Sequence, residues 1–393
     1  MNTTEQFFAP CPRGLETVLA LELKALGAEA VKAVKGGVGF RGPFSICYTI
    51  NLESRIASRV LWRVGYARYS SEKDIYEAAC GVGWCDWFDA SRTMRVNVSA
   101  VRSPLRSLDF TTLRIKDAVC DVFRAVTSRR PDVNTRNPDV RIHAFLTAND
   151  CTFYLDTSGE ALFKRGYRGG RGEAPMRENL AAGILRLIAW QPGVALLDPM
   201  CGGGTLLTEA AMIAGDMAPG GYRRFGFEKL KVHDAGAWQS LRDRARTRKK
   251  TVNEFAIYGS DQSSDAIDLA HENLAALGME KGVSLKRVNV LETSPPLPSG
   301  LIVTNPPYGV RMDEEKRLAE FYSQLGNVLK KKYSGWTAYI LTADMRLPKL
   351  IRLNASKRTP LFNGALDCRL FEFKLVAGSN RKPRTALTPA ERG

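Results

Sequence analysis

The sequence predicts an α/β protein in two parts, an α+β region followed by a parallel sheet with helices packed on it. Three observations lead there. Short apolar strands alternate with amphipathic helices up to Thr157. Beyond Glu173 buried apolar strands and helices follow one another regularly, the pattern of a parallel sheet. Between the two the composition turns to glycine and arginine, through Arg165-Gly166-Tyr167-Arg168 and Gly169-Gly170-Arg171-Gly172, which marks a joint.

In the first part a strand is expected over 5–9, stopped by Pro10 and Pro12, which cannot donate to a ladder. Leu15, Val18, Leu19 and Leu26 recur at helical spacing over 14–26, and Gly27 ends that helix. Strands over 29–34 and 38–41 read as a hairpin about Gly36-Gly37. Further strands are expected over 61–69 and 93–99 and a helix over 113–126. A hairpin of 141–146 with 151–156, turning at Asn149-Asp150, closes the region. Trp84 and Trp87 read as core. In the second part the strand candidates are 194–197, 256–259, 284–288, 301–304 and 337–341, and the end of the chain, rich in Arg, Pro and Thr, reads as a loose tail.

The 393 residues suggest two or three domains at about 150 residues each. With 44% apolar, 25% charged and 9% aromatic residues, disordered and collagen-like classes are excluded. The eight cysteines are scattered, and with only three histidines (His143, His233, His271) neither a zinc site nor a disulfide framework is expected. No stretch approaches the ~20 apolar residues that cross a bilayer, and the first ten residues lack the features of a signal peptide. A soluble, cytoplasmic, metal-free protein is the expectation. Lys and Arg number 57 against 41 Asp and Glu, a net charge of +16 that suggests a polyanionic partner.

Asp198-Pro199-Met200-Cys201-Gly202-Gly203-Gly204-Thr205 follows a buried strand and opens a helix over 206–213. Glycines in a first strand-to-helix turn let backbone approach a ligand closely. A P-loop would need Lys-Ser/Thr after the glycines, and the dinucleotide spacing Gly-x-Gly-x-x-Gly is absent. A nucleoside cofactor without phosphates is therefore expected. The next strand ends at Asp261, placed to accept ribose hydroxyls; capping the helix over 265–277 is the other reading.

The strand 301–304 runs straight into Asn305-Pro306-Pro307-Tyr308. Two prolines remove donors and fix φ, so the chain leaves the sheet in a stiff turn. The Asn305 amide and the Pro306 carbonyl offer two acceptors, enough to hold both hydrogens of an exocyclic amino group and aim its lone pair. Tyr308 offers a face on which a flipped base can stack. A rigid turn with an asparagine cap is the structural alternative.

The two motifs together resemble the paired signature of amino-group methyltransferases that use S-adenosylmethionine. With Gly159, Lys164-Arg165-Gly166-Tyr167-Arg168, Ala174-Pro175 and Glu178-Asn179-Leu180-Ala181-Ala182, the chain is similar to the THUMP-containing methyltransferases acting on guanine N2 of large-subunit (23S) rRNA, over roughly 7–375. The resemblance implies a Rossmann-like S-adenosylmethionine-dependent methyltransferase domain preceded by a ferredoxin-like/THUMP α+β RNA-binding module. The expected division is 1–60 ferredoxin-like, 61–157 THUMP, 158–178 linker, 179–376 catalytic and 377–393 tail. Carried over, Pro199, Cys201, Thr205, Asp198 and Gly202 to Gly204 would line the methionine and ribose side, and Asp261 the ribose. Asn305 would lie against cofactor as well as substrate. Asn289 stands where the family usually has an aspartate facing the adenine amino group; its carbonyl can still accept that bond.

Arg242, Arg244, Arg246, Arg248, Lys249 and Lys250 share one helical stretch in which only Asp243 opposes the charge, and Arg165, Arg168 and Arg171 crowd the joint. Both are expected to meet RNA. A tRNA guanine-N2 methylase shares these features, and a catalytically silent RNA-binding assembly factor is the alternative outside the enzymes. The two halves are expected to separate, the first binding RNA and the second binding cofactor.

Overall fold

The computed structural model describes residues 4–167, 176–250, 254–306 and 312–376, with side chains of the last segment from 317. Expectations for Arg168, Arg171, Pro307, Tyr308 and the tail lie outside the described residues.

The first part runs β1 (Glu5–Pro10), α1 (Glu16–Ala25), β2 (Glu29–Val34), β3 (Gly37–Gly42), α2 (Ile46–Glu53), β4 (Leu61–Arg68), α3 (Glu72–Cys80), α4 (Trp84–Trp87), β5 (Met94–Ala100), α5 (Leu108–Thr127), β6 (Val140–Leu146) and β7 (Asp150–Asp156). Its seven strands make one sheet in the order β2-β3-β1-β4-β7-β6-β5. Local signals start two of its helices. Ser71 and Asp74 form a capping box at α3, and Ser107 caps α5. Trp84 is fully buried, and Trp87 packs edge-on against Trp62 with ring centroids 4.5 Å apart. Helix α2 was not expected: Ile46, Cys47, Tyr48, Ile50, Asn51 and Leu52 are all buried, so no apolar stripe stands out against a polar face.

The second part runs α6 (Glu178–Leu187), β8 (Leu196–Asp198), α7 (Thr205–Ala214), α8 (Ala235–Thr247), β9 (Ile257–Asp261), α9 (Ser264–Ala275), β10 (Val283–Arg287), β11 (Gly300–Thr304), α10 (Met312–Lys332), β12 (Trp336–Thr342), α11 (Leu347–Leu350), β13 (Lys357–Asn363) and β14 (Leu366–Lys374). The sheet order is β10-β9-β8-β11-β12-β14-β13. From β10 to β12 all neighbours are parallel, and β14 and β13 close the sheet antiparallel. The chain steps outward from β8 to β10, then returns to β11 on the other side, so the order reverses between β8 and β11. The β13–β14 hairpin was also not expected, although Asn363-Gly364 between apolar runs signals it; Gly364 sits at φ +64 in its two-residue turn. No described helix is long and apolar enough to cross a membrane.

Where it is described, over 158–167 and 176–178, much of the expected linker is built into the fold. Thr157, Ser158, Leu162, Arg165 and Tyr167 are buried. Arg223 wraps this segment, its Nη1 donating to the carbonyls of Ala161 (2.6 Å) and Lys164 (2.9 Å) and its Nη2 to Glu160 (2.6 Å) and Ser158 (3.3 Å). The two parts also touch directly. Tyr48 of α2 stacks among Phe227, His233 and Trp238 at 4.6 to 6.2 Å. Arg55 Nη2 donates to the Met217 carbonyl at 2.6 Å, and Asn179 Nδ2 to that of Ile56 at 3.2 Å. Arg13 lies over the Phe362 ring at 4.0 Å. Cutting here would strand buried polar groups and expose aromatic surface, which favours one body.

Gly14 sits at φ +94, and a Cβ there would lie 2.4 Å from the Pro360 carbonyl oxygen across the seam. Gly14→Ala is therefore expected to cost ~1–3 kcal/mol through backbone strain alone, read as a lower midpoint in urea unfolding.

Candidate active site

Four loops leave the carboxyl ends of β10, β9, β8 and β11 side by side. The backbone conformation of the β8 loop depends on its glycines. Gly202 (φ +51) and Gly204 (φ +74) take left-handed conformations that side chains disfavour. Beside Gly204 a Cβ would meet Ala270 at 3.0 Å, whereas beside Gly202 it would meet nothing within 4 Å. Helix α9 is thus packed on one glycine, and the other faces open space.

The loop is tied to its neighbours by hydrogen bonds. Cys201 N donates to the Ser260 carbonyl (2.9 Å), Gly202 N to Asp261 Oδ2 (3.0 Å), and Asn273 Nδ2 to the Gly203 carbonyl (2.8 Å). Asp261 Oδ1 also accepts from Ser263 N at 3.0 Å. The cap of α9 is Ser263 rather than Asp261, its hydroxyl accepting from Ala266 N. Pro199, Cys201, Gly204 and Thr205 are buried, and Asn305 is half-buried with Pro306 buried behind it. Burial pushes the Cys201 thiol far up, so it is a packing group here rather than a nucleophile.

Asp198 is buried at the end of β8. Its Oδ1 accepts from Thr304 Oγ1 at 2.8 Å and from Met200 N at 3.2 Å. The first bond joins the rims of β8 and β11, so Asn305 begins its turn beside the glycine loop. Thr304 and Asn273 had drawn no notice in the sequence, because one reads as the last residue of a strand and the other as helix interior. Desolvation raises the Asp198 carboxyl from 3.8 to about 7, with the Asp261 charge adding to it and the Thr304 and Met200 bonds opposing it. Among the described residues the groups acting on it are an alcohol, a backbone amide and a second carboxylate. A cationic ligand bearing hydroxyls fits this donor set, and a phosphate does not. Asn289 Oδ1 accepts from Leu291 N at 3.0 Å, leaving a second lone pair on that oxygen. No metal-binding group of His, Cys, Asp and Glu occurs among the described residues.

The basic residues divide. Arg165 does not face RNA: it is 2% exposed and forms a bidentate pair with Glu209, because the joint folds inward. The α8 cluster is less bare than its sequence implies. Arg248 pairs with Glu53 and Asp216, Arg242 lies 5.7 Å over the Trp238 ring, and Lys249 Nζ donates to the Leu277 carbonyl at 3.1 Å. Arg244, Arg246 and Lys250 are exposed; Arg246 stands 3.9 Å from Asp243.

A parallel sheet whose order reverses beside a glycine loop is a Rossmann-like fold, the class that S-adenosylmethionine-dependent methyltransferases share. Residues 165–372 match the RMKL-like methyltransferase domain, 69–156 the THUMP domain and 6–61 the RlmL ferredoxin-like domain. The chain belongs to the RMKL-like methyltransferase family. It is 39% identical over 392 residues to the ribosomal RNA large subunit methyltransferase K/L of Shewanella amazonensis, covering 98% of this chain and 55% of that protein. The chain thus spans about half the length of that relative. A putative RNA methyltransferase of Synechocystis sp. is 35% identical, with 95% of this chain and 97% of that one covered. Among solved structures, a putative methyltransferase complexed with SAH (SMU.472) superposes with a TM-score of 0.86 at 28% identity, covering 96% of this chain and all (100%) of that one. A possible methylase from Clostridium difficile gives 0.88 at 29% identity, covering 96% and 100%.

Two outcomes are expected. A carboxyl raised in the folded state contributes its full stability below pH 3.8 and loses it as pH climbs to about 7. Asp198→Asn keeps the acceptor and removes the charge, so its melting temperature should fall less between pH 4 and 7, with a gain of up to ~4 kcal/mol at pH 8. Asp261→Ala should weaken S-adenosylmethionine binding by ~1–3 kcal/mol, since the Gly202 amide loses its partner; calorimetry on the folded variant reads this directly.

Proposed function

We propose that this protein methylates the exocyclic N2 of a guanine in 23S rRNA, with S-adenosylmethionine as methyl donor. The observation that carries the reading is the Asp198–Thr304 hydrogen bond, which starts the Asn305-Pro306 turn next to the glycine loop. The rRNA methyltransferase name borne by the Shewanella relative and the THUMP match over 69–156 support RNA as the target class. The exposed Arg244, Arg246 and Lys250 of the α8 region supply positive surface for its backbone.

S-adenosylmethionine brings a methyl group on a positively charged sulfur. The Asp198 and Asp261 carboxylates form the acidic side of the crevice, and binding a cation there favours the ionised form of Asp198. Asn305 Oδ1 and the Pro306 carbonyl accept the two N–H groups of the guanine amine. Held this way, the amine keeps its lone pair aimed across the crevice. The product ammonium is acidic enough to release its proton to water, so no histidine base is needed. Positioning of this kind lowers a barrier by ~7 kcal/mol or more.

The direct test is the purified chain with radiolabelled S-adenosylmethionine and unmodified large-subunit rRNA, the product mapped by mass spectrometry as N2-methylguanosine. Methylation at a ring nitrogen or on ribose would refute the reading. Asn305→Ala should lose at least ~100-fold in kcat, since its bonds act on the reacting geometry, while cofactor affinity stays within about twofold. Steady-state kinetics beside cofactor titration separate the two.

A further inference from the structure

A buried charge cluster lies outside the crevice loops, on helix α7. Arg165 Nε and Nη2 donate to Glu209 Oε1 (2.9 Å) and Oε2 (3.2 Å) as a fork, and both side chains are at most 1% exposed. The same guanidinium donates to the Arg55 carbonyl (2.7 Å) and the Leu162 carbonyl (3.1 Å). Arg55 in turn donates from Nη2 to the Met217 carbonyl (2.6 Å) and the Met212 carbonyl (3.3 Å), at the C-terminal end of α7. One arginine therefore grips α7 at its middle, through Glu209, and the other grips it near its end. Both come from outside the catalytic sheet.

Helix α7 begins at Thr205, directly after the glycine loop, and Thr208 Oγ1 donates back to the Gly204 carbonyl at 2.8 Å. Glu209 is the next residue. A shift of α7 along or about its axis is transmitted to Gly202 to Gly204, whose conformations are set residue by residue. A buried ion pair is poor evidence for stability, because desolvation offsets its attraction, but its forked geometry is specific. Lysine in place of arginine keeps the charge and loses the fork.

We propose that Arg165 is a positioning residue for the cofactor loop: through Glu209 it holds α7 in the register that makes the loop competent to bind S-adenosylmethionine. The inference rests on the methyltransferase reading of the site. It assigns the joint a task in cofactor binding as well as in connecting the two parts. Arg223, wrapped around the segment before it, keeps Arg165 turned inward.

The test uses the full chain and S-adenosylhomocysteine as the titrated probe, with a melting curve for each variant. Arg165→Lys, and the paired Arg165→Met with Glu209→Leu that removes both charges at once, should melt cooperatively and raise the Kd at least fivefold. Gly14→Ala, which strains the seam away from α7, should lower the melting temperature and leave the Kd unchanged. Wild-type Kd in both folded Arg165 variants would overturn the proposal, and so would a Kd that rises in Gly14→Ala in proportion to its lost stability. A wild-type chain that fails to bind the probe would instead refute the cofactor reading itself.

Discussion

Parallel strands cannot be joined by a tight turn. Each needs a crossover that returns the chain to the end where it started, so every loop leaving a carboxyl end emerges on the same rim. In this sheet that constraint brings the loops after β8, β9, β10 and β11 together, and the reversal of order between β8 and β11 leaves a crevice that no crossover covers. Asp198, Asp261, Asn289 and Asn305 stand well apart in sequence, and this constraint puts the loops that carry them on one rim. Their electrostatics follow too. Burial at the end of β8 raises the Asp198 carboxyl, and the charge of Asp261 on the adjacent strand adds to it.

The remainder of the molecule holds that rim in place. The N-terminal sheet and the catalytic sheet meet along a continuous seam of aromatic packing about Tyr48, backbone contacts at Gly14 and a buried set of arginines. Here Arg223 supplies donors to four carbonyls of the 158–164 turn and replaces the water that would otherwise solvate them.

The net charge of +16 is therefore an uneven quantity. Arg55, Arg165 and Arg223 are spent inside the fold, and Arg248 is paired with Glu53 and Asp216. What remains exposed on the α8 region is a shorter stripe than the run of 242–250 suggests, and its inner face, Trp238 and Ala245, is buried. The same helix thus fastens the two parts on one side and presents positive charge on the other.

The parallel strands and the crevice loops were legible in the sequence because their signals are local: an apolar run, then glycines or prolines that restrict the next few torsions. The family resemblance was legible for the same reason, being carried by Asp198 to Thr205 and Asn305 to Tyr308. Helix α2 and the β13–β14 hairpin were not read, the first because burial on every side erases periodicity. The fate of each arginine was beyond the sequence as well. Whether Arg165 meets RNA or Glu209 depends on a partner 44 residues away, and Thr304 joins the site only through Asp198, 106 residues away. Short-range sterics write backbone conformation into neighbouring residues, whereas desolvation and pairing of a charge depend on whatever the folded chain brings beside it. Local pattern was enough to place the run of parallel strands and the glycine loop, whereas which charges face solvent and which hold the joint was settled by the folded chain.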